Sequence, residues 1–235
     1  MTTRPTIRAV VFDFDGVIAD SEPIHERALL ETLKPKGLGF THEEYEQEII
    51  GYDDRDAFRA IYRKHGRPLG ETDDPPSDQI DALIAEKLRV VHRLIAEGHA
   101  APFPGTLDIA RHAQDSGLAI AICSGALQDE IRRMLDVFGA ADLFEIIVAA
   151  DDVPKAKPDP AGYRMASDRL GIEPAACACI EDTPHGIAAA QAAGYGNVVA
   201  VTHSLPAAEL GQADSIVSST AEITLDHLRA VPTRS

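Results

Sequence analysis

The sequence predicts an α/β fold, in which a Rossmann-like parallel β-sheet carries an inserted domain of α-helices. Three observations support this fold class. Apolar runs of strand length alternate with helical patterns, which is typical of a parallel sheet covered by helices on both faces. One interval, residues 23–101, breaks this alternation and contains only helical patterns. The chain of 235 residues is long enough for one large core with such an insertion.

Five apolar runs are the strand candidates, and helical patterns lie between most of them. The strands are predicted at residues 7–14, 118–123, 144–148, 176–180 and 197–201. The helices are predicted at residues 107–116, 129–138, 160–170 and 183–193. We therefore expect a core made of residues 1–22 and 102–235, and a helical cap made of residues 23–101. Ligands of such parallel sheets bind beyond the carboxyl ends of the strands.

The inserted interval contains its own helix signals. Thr41 and Glu44 have the spacing of a capping box, in which each side chain bonds the backbone of the other at the start of a helix. Helices are also predicted at residues 54–65 and 78–97. The segment Asp73-Asp74-Pro75-Pro76 separates these two helices, because proline cannot continue a helix.

The charge balance argues against two classes of partner. The chain carries 22 Lys and Arg against 38 Asp and Glu, and its formal net charge of −16 disfavours nucleic acid and anionic membrane surfaces. No run approaches the ~20 apolar residues that span a bilayer, and the first residues lack the apolar centre of a secretory signal. Cys123, Cys177 and Cys179 fit buried positions better than a disulfide framework. We expect a cytoplasmic protein that is a monomer or a weak dimer.

The first strand candidate ends in two carboxylates. Asp13 and Asp15 are two residues apart, so in a strand their side chains lie on the same side. Gly16 follows them and allows a sharp turn close to a ligand. Neighbouring carboxylates repel each other unless a cation or a shared proton offsets their charge. The pair therefore predicts a metal site or an acid–base site; the alternative is a strand-end turn with solvated carboxylates.

Two further segments supply groups that suit an anion. Ser124 and Gly125 follow the second strand candidate and offer a hydroxyl with accessible backbone N–H groups, although Ser-Gly is also a common turn. Lys157 precedes Pro158, which disfavours helical backbone for the lysine and holds it extended. A fixed ammonium near a carboxylate pair can neutralise that pair and bind a phosphate. A solvated loop lysine is the alternative.

A second acidic pair, Glu181 and Asp182, follows the strand candidate at residues 176–180. Asp182 is a candidate either for the N-cap of the next helix or for an oxygen ligand of a metal ion. Mg²⁺ takes octahedral oxygen ligands and keeps several waters, so carboxylates from two strand ends suffice to hold it.

In their order and strand context, these segments resemble the four motifs of the haloacid dehalogenase superfamily. The motifs are matched by Asp13-x-Asp15-Gly16-Val17, Ser124, Lys157-Pro158 and Glu181-Asp182, and the resemblance spans residues 7 to about 200. The helical insertion resembles the cap of the subgroup that contains β-phosphoglucomutase and small-molecule phosphatases. The resemblance implies a Rossmann-like core, an inserted cap and a requirement for Mg²⁺.

The resemblance also implies roles in catalysis. Asp13 is the expected nucleophile and forms an aspartyl-phosphate. Asp15 protonates the leaving alkoxide and then deprotonates the water that hydrolyses the intermediate. Ser124 and Gly125 bind phosphoryl oxygens together with Lys157, whose charge offsets the repulsion between carboxylate and phosphate.

The same resemblance implies a metal site. Mg²⁺ is expected to be held by a carboxylate oxygen of Asp13, the backbone carbonyl of Asp15, Asp182 and waters. The sequence does not distinguish whether Glu181 is a further metal ligand or a residue that orients a metal ligand.

The expected function is that of a Mg²⁺-dependent phosphatase for a small phosphorylated metabolite, such as a sugar phosphate or a phosphoglycolate-like acid. Asp15 disfavours dehalogenation, since family members that release halide lack this second aspartate and need no metal. The alternative is a sugar-phosphate mutase of the β-phosphoglucomutase type, which shares every core residue. A third hypothesis, a binding protein without activity, is disfavoured because all the motif residues are intact.

Three cap residues are candidates for substrate contacts. His25 matches a histidine of β-phosphoglucomutase, although similar phosphatases also carry one. Arg55 is displaced by one position from the mutase arginine relative to Gly51, which modestly favours the phosphatase. Lys87 lies on the long predicted helix, where a solvated helix face is the alternative.

Overall fold

The computed structural model describes residues 6–50, 52, 54–66 and 77–230. The chain forms two compact units: Met1–Ser21 with Ala100–Ser235, the core unit, and Glu22–His99, the helical unit. The core unit contains a parallel sheet and the helical unit is built from helices, which confirms the predicted fold class. Gly51 and the predicted breaker at residues 73–76 lie outside the described residues. Within the described part of the chain, no helix is both long enough and apolar enough to cross a bilayer.

Among the described residues, the strands all belong to the core unit and are short. They are β1 Ala9–Phe12, β2 Ala19–Asp20, β3 Ala101–Pro102, β4 Ala119–Cys123, β5 Ile146–Val148, β6 Cys177–Glu181, β7 Asn197–Val201 and β8 Ser215–Val217. Six of them form one sheet in the order β5-β4-β1-β6-β7-β8, and every neighbouring pair is parallel. The short β2 and β3 pair antiparallel, at the points where the chain leaves the core unit and returns to it.

The helices are divided between the two units. The helical unit contains α1 Glu22–Leu33, α2 His42–Glu48, α3 Asp54–Lys64 and α4 Ser77–Ala96. The core unit contains α5 Thr106–Asp115, α6 Gln128–Val137, α7 Ala161–Leu170, α8 Pro184–Ala193 and α9 Leu225–Arg229.

The central strand β1 shows that both faces of the sheet are covered. Successive side chains of a strand point to opposite faces, yet all four residues of β1 are fully buried. Ala9 and Val11 belong to one apolar cluster with Tyr163 of α7 and Ile187 of α8. This burial explains why the strand is a continuous apolar run rather than an alternating one. It also fixes the end of β1, and the polar residues after it, at the middle of the sheet edge.

The predicted strands and core helices are all present, with ends shifted by up to two residues. Three features were missed. The helix α9 was not predicted because its five residues are too few for a periodic signal. β8 was not predicted because Ser215–Val217 is only three half-buried residues long, too short for a periodic signal. The β2–β3 pair was missed because each strand has two residues. The units change at Ser21 and Ala100, one and two residues from the expected boundaries.

The helical unit has its own capping and its own apolar core. The backbone N–H of Glu44 donates to Oγ1 of Thr41 at 3.2 Å, and the N–H of Thr41 donates to the Glu44 carboxylate at 2.7 Å, which confirms the capping box. Leu33, Phe58 and Ile61 lie in one buried cluster of this unit. The unit is therefore held together by contacts within itself.

Candidate active site

Polar side chains collect where the parallel strands of the core unit end. Asp13 follows β1, Ser124 follows β4, and Glu181 ends β6 with Asp182 directly after it. β1 is hydrogen-bonded to both β4 and β6, so these ends lie side by side. The sequence-predicted core residues are therefore brought to one edge of the sheet, as expected for a ligand site of a parallel sheet.

Lys157 joins the two acidic strand ends. Its Nζ donates to Oδ1 of Asp13 and to Oε1 of Glu181, both at 2.6 Å. Burial alone would lower the pKa of Lys157, but the charges of Asp13 and Glu181 raise it well above its ordinary value. Burial raises the pKa of Asp13 well above its usual range, against the opposing charge of Lys157. The lysine is thus held between two carboxyl groups that favour its charged form.

Both oxygens of Glu181 are occupied by protein donors. Oε1 accepts from Lys157 and from the hydroxyl of Tyr163, each at 2.6 Å. Oε2 accepts from the N–H of Asp182 at 3.2 Å and from the hydroxyl of Thr183 at 3.2 Å. Glu181 is completely buried, and a Cβ at Gly186 would lie 1.9 Å from its Oε1. A carboxylate this crowded by donors is suited to orient its neighbours.

Asp182, by contrast, keeps one oxygen without a partner. Its Oδ2 accepts from the hydroxyl of Ser204, whereas its Oδ1 is buried and has no hydrogen-bond partner. Burial, and secondly the charge of Glu181, raises the pKa of Asp182 to about 7. Gly16, with a φ of +79°, lies so close that a Cβ there would be 1.8 Å from Oδ2 of Asp182. The predicted helix-capping role of Asp182 is wrong: Thr183 is the N-cap of α8 and accepts from the N–H of Gly186.

The acidic residues of this edge fit a divalent cation. Ligand atoms of Asp13, Glu181 and Asp182 lie within 4.8 Å of one another. The three carboxyl groups share the ammonium of Lys157, and burial raises the pKa values of Asp13 and Asp182, so a divalent cation here would favour their ionised forms. The unpartnered Oδ1 of Asp182 is a free hard-oxygen donor in the same cluster. On charge and donor type, the residues present fit Mg²⁺.

Asp15 is held by two hydroxyl groups. The hydroxyl of Ser21 donates to its Oδ1 at 2.6 Å, and that of Ser124 donates to its Oδ2 at 3.4 Å. Burial raises the pKa of Asp15, although both hydroxyl bonds oppose this shift. A carboxyl group with a raised pKa can carry a proton nearer to neutral pH, which is what a general acid requires.

Ser124 and Gly125 form an open turn beside these carboxylates. The Oγ of Ser124 accepts from the N–H of Ala126 at 2.9 Å, and a Cβ at Gly125 would meet no heavy atom within 4 Å. A pocket of about 60 Å³ is bounded by Ser124, Gly125 and Lys157, among other residues. The N–H of Ser124 donates to the Val148 carbonyl, so the N–H of Gly125 is the backbone donor that this turn offers to an anionic oxygen.

The family model of the haloacid dehalogenase-like hydrolases matches residues 7–194. The chain belongs to this family. Protein CbbY of Rhodobacter capsulatus is 31% identical to this hydrolase over 200 residues, which are 80% of this chain and 82% of that protein. Hexitol phosphatase B of Escherichia coli is 26% identical, over 97% of this chain and 99% of that protein. A crystal structure of a CbbY mutant from Rhodobacter sphaeroides, in complex with xylulose-(1,5)bisphosphate, has a TM-score of 0.80 and 28% identity and covers 95% of this chain and 100% of that one.

Sequence reasoning missed several residues of the hydrolase site. Ser204, whose hydroxyl bonds Asp182, and His203 both lie just after β7. Their position after the end of a strand was a signal by which the sequence could have identified them as site residues. A backbone N–H only donates, so Nε2 of His203 accepts from Thr220 at 3.4 Å and its Nδ1 donates to the Gly16 carbonyl at 2.8 Å. Nothing in the sequence indicated that Tyr163 belongs to the site, because a tyrosine in a helical pattern is indistinguishable from any other buried apolar residue.

The predicted cap residues of the hydrolase lie in the helical unit and are paired there. Lys87 is 4% exposed and bonds a carboxylate oxygen of Asp54, so the predicted alternative of a solvated helix face is wrong. Its Nζ also lies 3.2 Å from Nδ1 of His25. Arg55 pairs with Asp81 on the surface of the unit. The ammonium of Lys87 is buried because α3 supplies a carboxylate beside it.

The three cysteines of the hydrolase are buried and free, as predicted. Burial raises the pKa of Cys123 to about 12 and that of Cys177 to about 12. Thiols with such pKa values are not nucleophiles at neutral pH. The chemistry of this edge is therefore assigned to its oxygen and nitrogen groups.

Proposed function

We propose that this hydrolase is a Mg²⁺-dependent phosphatase, which removes phosphate from a small phosphorylated sugar metabolite through an aspartyl-phosphate on Asp13. The observation that carries the proposal is the 2.6 Å contact between Oδ1 of Asp13 and Nζ of Lys157 at the carboxyl edge of the sheet. A carboxylate that attacks a phosphate dianion must overcome charge repulsion, and a fixed ammonium at the attacking group reduces it. The names of two relatives, a hexitol phosphatase and a protein bound to a sugar bisphosphate, support the substrate class.

Lys157, Ser124 and Gly125 bind the phosphoryl group. An ammonium has three N–H groups, of which two are directed at Asp13 and Glu181. The third is left for a phosphoryl oxygen. On substrate binding the Ser124 hydroxyl turns from Asp15 to a phosphoryl oxygen, and the backbone N–H of Gly125 binds another.

In the first half of the reaction, a carboxylate oxygen of Asp13 attacks phosphorus and the ester P–O bond breaks. Asp15 gives its proton to the leaving alkoxide, so that an alcohol departs. Its raised pKa and its anchoring by Ser21 suit this role.

In the second half, Asp15 is a carboxylate and takes a proton from water. The water oxygen attacks the phosphorus of the aspartyl-phosphate, and the bond to Asp13 breaks. Inorganic phosphate leaves, Asp13 is again a carboxylate and Asp15 is again protonated. Atoms and protons therefore balance over the two halves.

A cation completes the charge of the site. Asp13, Asp182 and the backbone carbonyl of Asp15 are the groups proposed to hold Mg²⁺, and Oδ1 of Asp182 is free to do so. When bound, Mg²⁺ offsets negative charge on the phosphoryl oxygens. We assign Glu181 to orienting Lys157, because both its oxygens already accept hydrogen bonds from protein groups. The unpaired cysteines favour a reducing, cytoplasmic location.

The test is ³¹P NMR of the purified protein with Mg²⁺ and a panel of phosphate esters. The panel contains hexitol phosphates, ketose bisphosphates and β-glucose 1-phosphate with a trace of its bisphosphate. We expect inorganic phosphate to grow at the expense of one class of ester. Conversion of one ester into another without free phosphate would instead establish a mutase and overturn the proposal.

Two variants show that the activity belongs to this site. Asp13→Asn is expected to abolish phosphate release, because the amide is not a nucleophile. Asp108→Asn is the matched control, since Asp108 lies on α5 with a side chain that is 86% exposed. Equal activity of the Asp13 variant and the control would contradict the assignment of the nucleophile.

A further inference from the structure

We propose that Tyr163 is a positioning residue of this reaction, whose hydroxyl fixes Glu181 and, through Glu181, the ammonium of Lys157 against Asp13. The inference rests on the phosphatase function proposed above and extends it to a residue of α7 that no motif contains.

Tyr163 contacts both members of one ion pair. Its hydroxyl donates to Oε1 of Glu181 at 2.6 Å, and this same oxygen accepts from Lys157 at 2.6 Å. The face of its ring lies under the lysine, with Nζ 5.2 Å from the ring centroid. The ring attracts the cation and the hydroxyl holds the counter-ion, so one side chain limits the movement of both.

A lysine needs such support more than most groups. Its ammonium is a point charge on a flexible four-carbon chain, and its charge is useful only when it is held at the reacting atoms. Glu181 holds this ammonium at the buried site through the hydrogen bond that its Oε1 accepts from Lys157. If the hydroxyl of Tyr163 is removed, Oε1 of Glu181 loses one of its two donors inside the protein, and the Glu181 carboxylate is free to shift.

Tyr163 is itself rigid. It is fully buried, and its backbone carbonyl accepts from the hydroxyl of Tyr195 at 2.8 Å. The two rings pack edge to face, with centroids 5.1 Å apart. Burial, followed by the charge of Glu181, raises the pKa of Tyr163 well above its ordinary value, so the phenol stays a donor. The hydroxyl therefore has one fixed position from which to hold Glu181.

Tyr45 of the helical unit provides a matched control. Like Tyr163 it is a buried tyrosine whose hydroxyl donates to a glutamate, but that glutamate is Glu22 of its own unit. Tyr163→Phe and Tyr45→Phe each remove one buried hydroxyl and keep the ring. A loss of packing or stability affects both variants, whereas a loss of lysine positioning affects only the first.

The first measurement compares steady-state kinetics of the two variants with those of the wild type on the ester found by the panel. We expect kcat of Tyr163→Phe to fall about tenfold with KM changed by less than about twofold, because the charge of a positioned lysine is most useful in the transition state. Tyr45→Phe is expected to keep kcat, while its melting temperature falls by about as much as that of Tyr163→Phe. A wild-type kcat in Tyr163→Phe, or an equal loss of kcat in Tyr45→Phe, overturns the inference while the phosphatase function stands.

The second measurement does not depend on activity. In ¹⁵N-lysine-labelled protein, the ammonium signal of Lys157 is assigned by its absence from Lys157→Arg. We expect this signal to broaden or shift in Tyr163→Phe and to remain in place in Tyr45→Phe. An unchanged signal in Tyr163→Phe overturns the inference. If the wild type hydrolyses no ester of the panel, the proposed function fails and this spectrum still decides whether Tyr163 positions Lys157.

Discussion

The hydroxyl of Ser204 donates to Oδ2 of Asp182 and leaves Oδ1 of the same carboxylate without a partner. One oxygen is thus tied to the protein and the other is presented to the acidic cluster. This asymmetry gives the carboxylate a single orientation. It is the arrangement by which a hydrogen-bonded neighbour orients a metal ligand.

We expect Ser204→Ala to weaken Mg²⁺ binding by about tenfold, because the freed carboxylate can rotate away from the cluster. The measurement is a calorimetric titration of Mg²⁺ into the protein without substrate. Ser218→Ala is the control: this serine also donates to a carboxylate, that of Glu222, but on the surface. Ser204→Thr keeps a hydroxyl and should restore most of the affinity. Equal affinities in Ser204→Ala and wild type would contradict the assigned role of Ser204.

Replacing Lys157 should destabilise the fold as well as stop the reaction. Lys157→Met leaves the carboxylates of Asp13 and Glu181 buried without their cation, and breaking a buried ion pair in this way costs about 3 kcal/mol or more. Urea unfolding at neutral pH, without added metal, measures the loss. Lys155→Met, two residues earlier in the same loop and exposed, is expected to unfold like the wild type. Matching curves for the two variants would show that the ion pair adds nothing to stability.

An Asp15→Asn variant should separate the two halves of the reaction. Attack by Asp13 on an ester with a good leaving group, such as p-nitrophenyl phosphate, needs no proton donor, whereas hydrolysis of the aspartyl-phosphate needs a base. We expect a burst of about one p-nitrophenolate per protein, followed by slow turnover. Mass spectrometry should then find one phosphoryl group on the protein. Steady turnover without a burst would exclude Asp15 as the base of the second half.

The pair of His25 and Lys87 predicts a pH dependence of stability. Burial, and secondly the charge of Lys87, lowers the pKa of His25 to about 3, whereas an unfolded histidine has a pKa of about 6.5. Between these values the unfolded chain binds a proton that the folded chain does not. The contribution of His25 is therefore constant above about pH 6.5, and stability falls as the pH falls towards 3.

We test this by chemical denaturation of His25→Gln and wild type between neutral pH and about pH 4. The wild type should lose more free energy of unfolding over this range than His25→Gln. His42→Gln is the control. Its effect on the pH dependence of the free energy of unfolding should be opposite in sign to that of His25→Gln, because hydrogen bonding to Glu26 raises the pKa of His42. Identical slopes for wild type and His25→Gln would refute the shift assigned to His25.

Some features of the site were accessible from sequence because they depend on local position. Asp13, Ser124 and Asp182 each follow a buried strand directly, so an apolar run that stops at a polar residue was enough to find them. The orientation of Glu181 was not accessible. It depends on Tyr163, which is distant in sequence and lies on another element.

Lys87 illustrates the same limit within the helical unit. Helical periodicity places a lysine on a helix, but its burial is set by whether a neighbouring element supplies a carboxylate. Asp54, at the start of α3, supplies it. A similar limit explains why β8 was not predicted. Its three residues form a strand because they pair with the edge of β7, which their own sequence does not show.

The central position of β1 has a consequence for the order in which the site is acquired. Ala9 pairs with Ala119 on one side and with Cys177 on the other, so the first strand made finds its partners only in the second half of the chain. Contacts between residues so distant in sequence slow folding, because a long loop must close before they can form. During synthesis Asp13, the proposed nucleophile, emerges well before Asp182 and the end of β6. The site therefore cannot be complete before synthesis has passed β6.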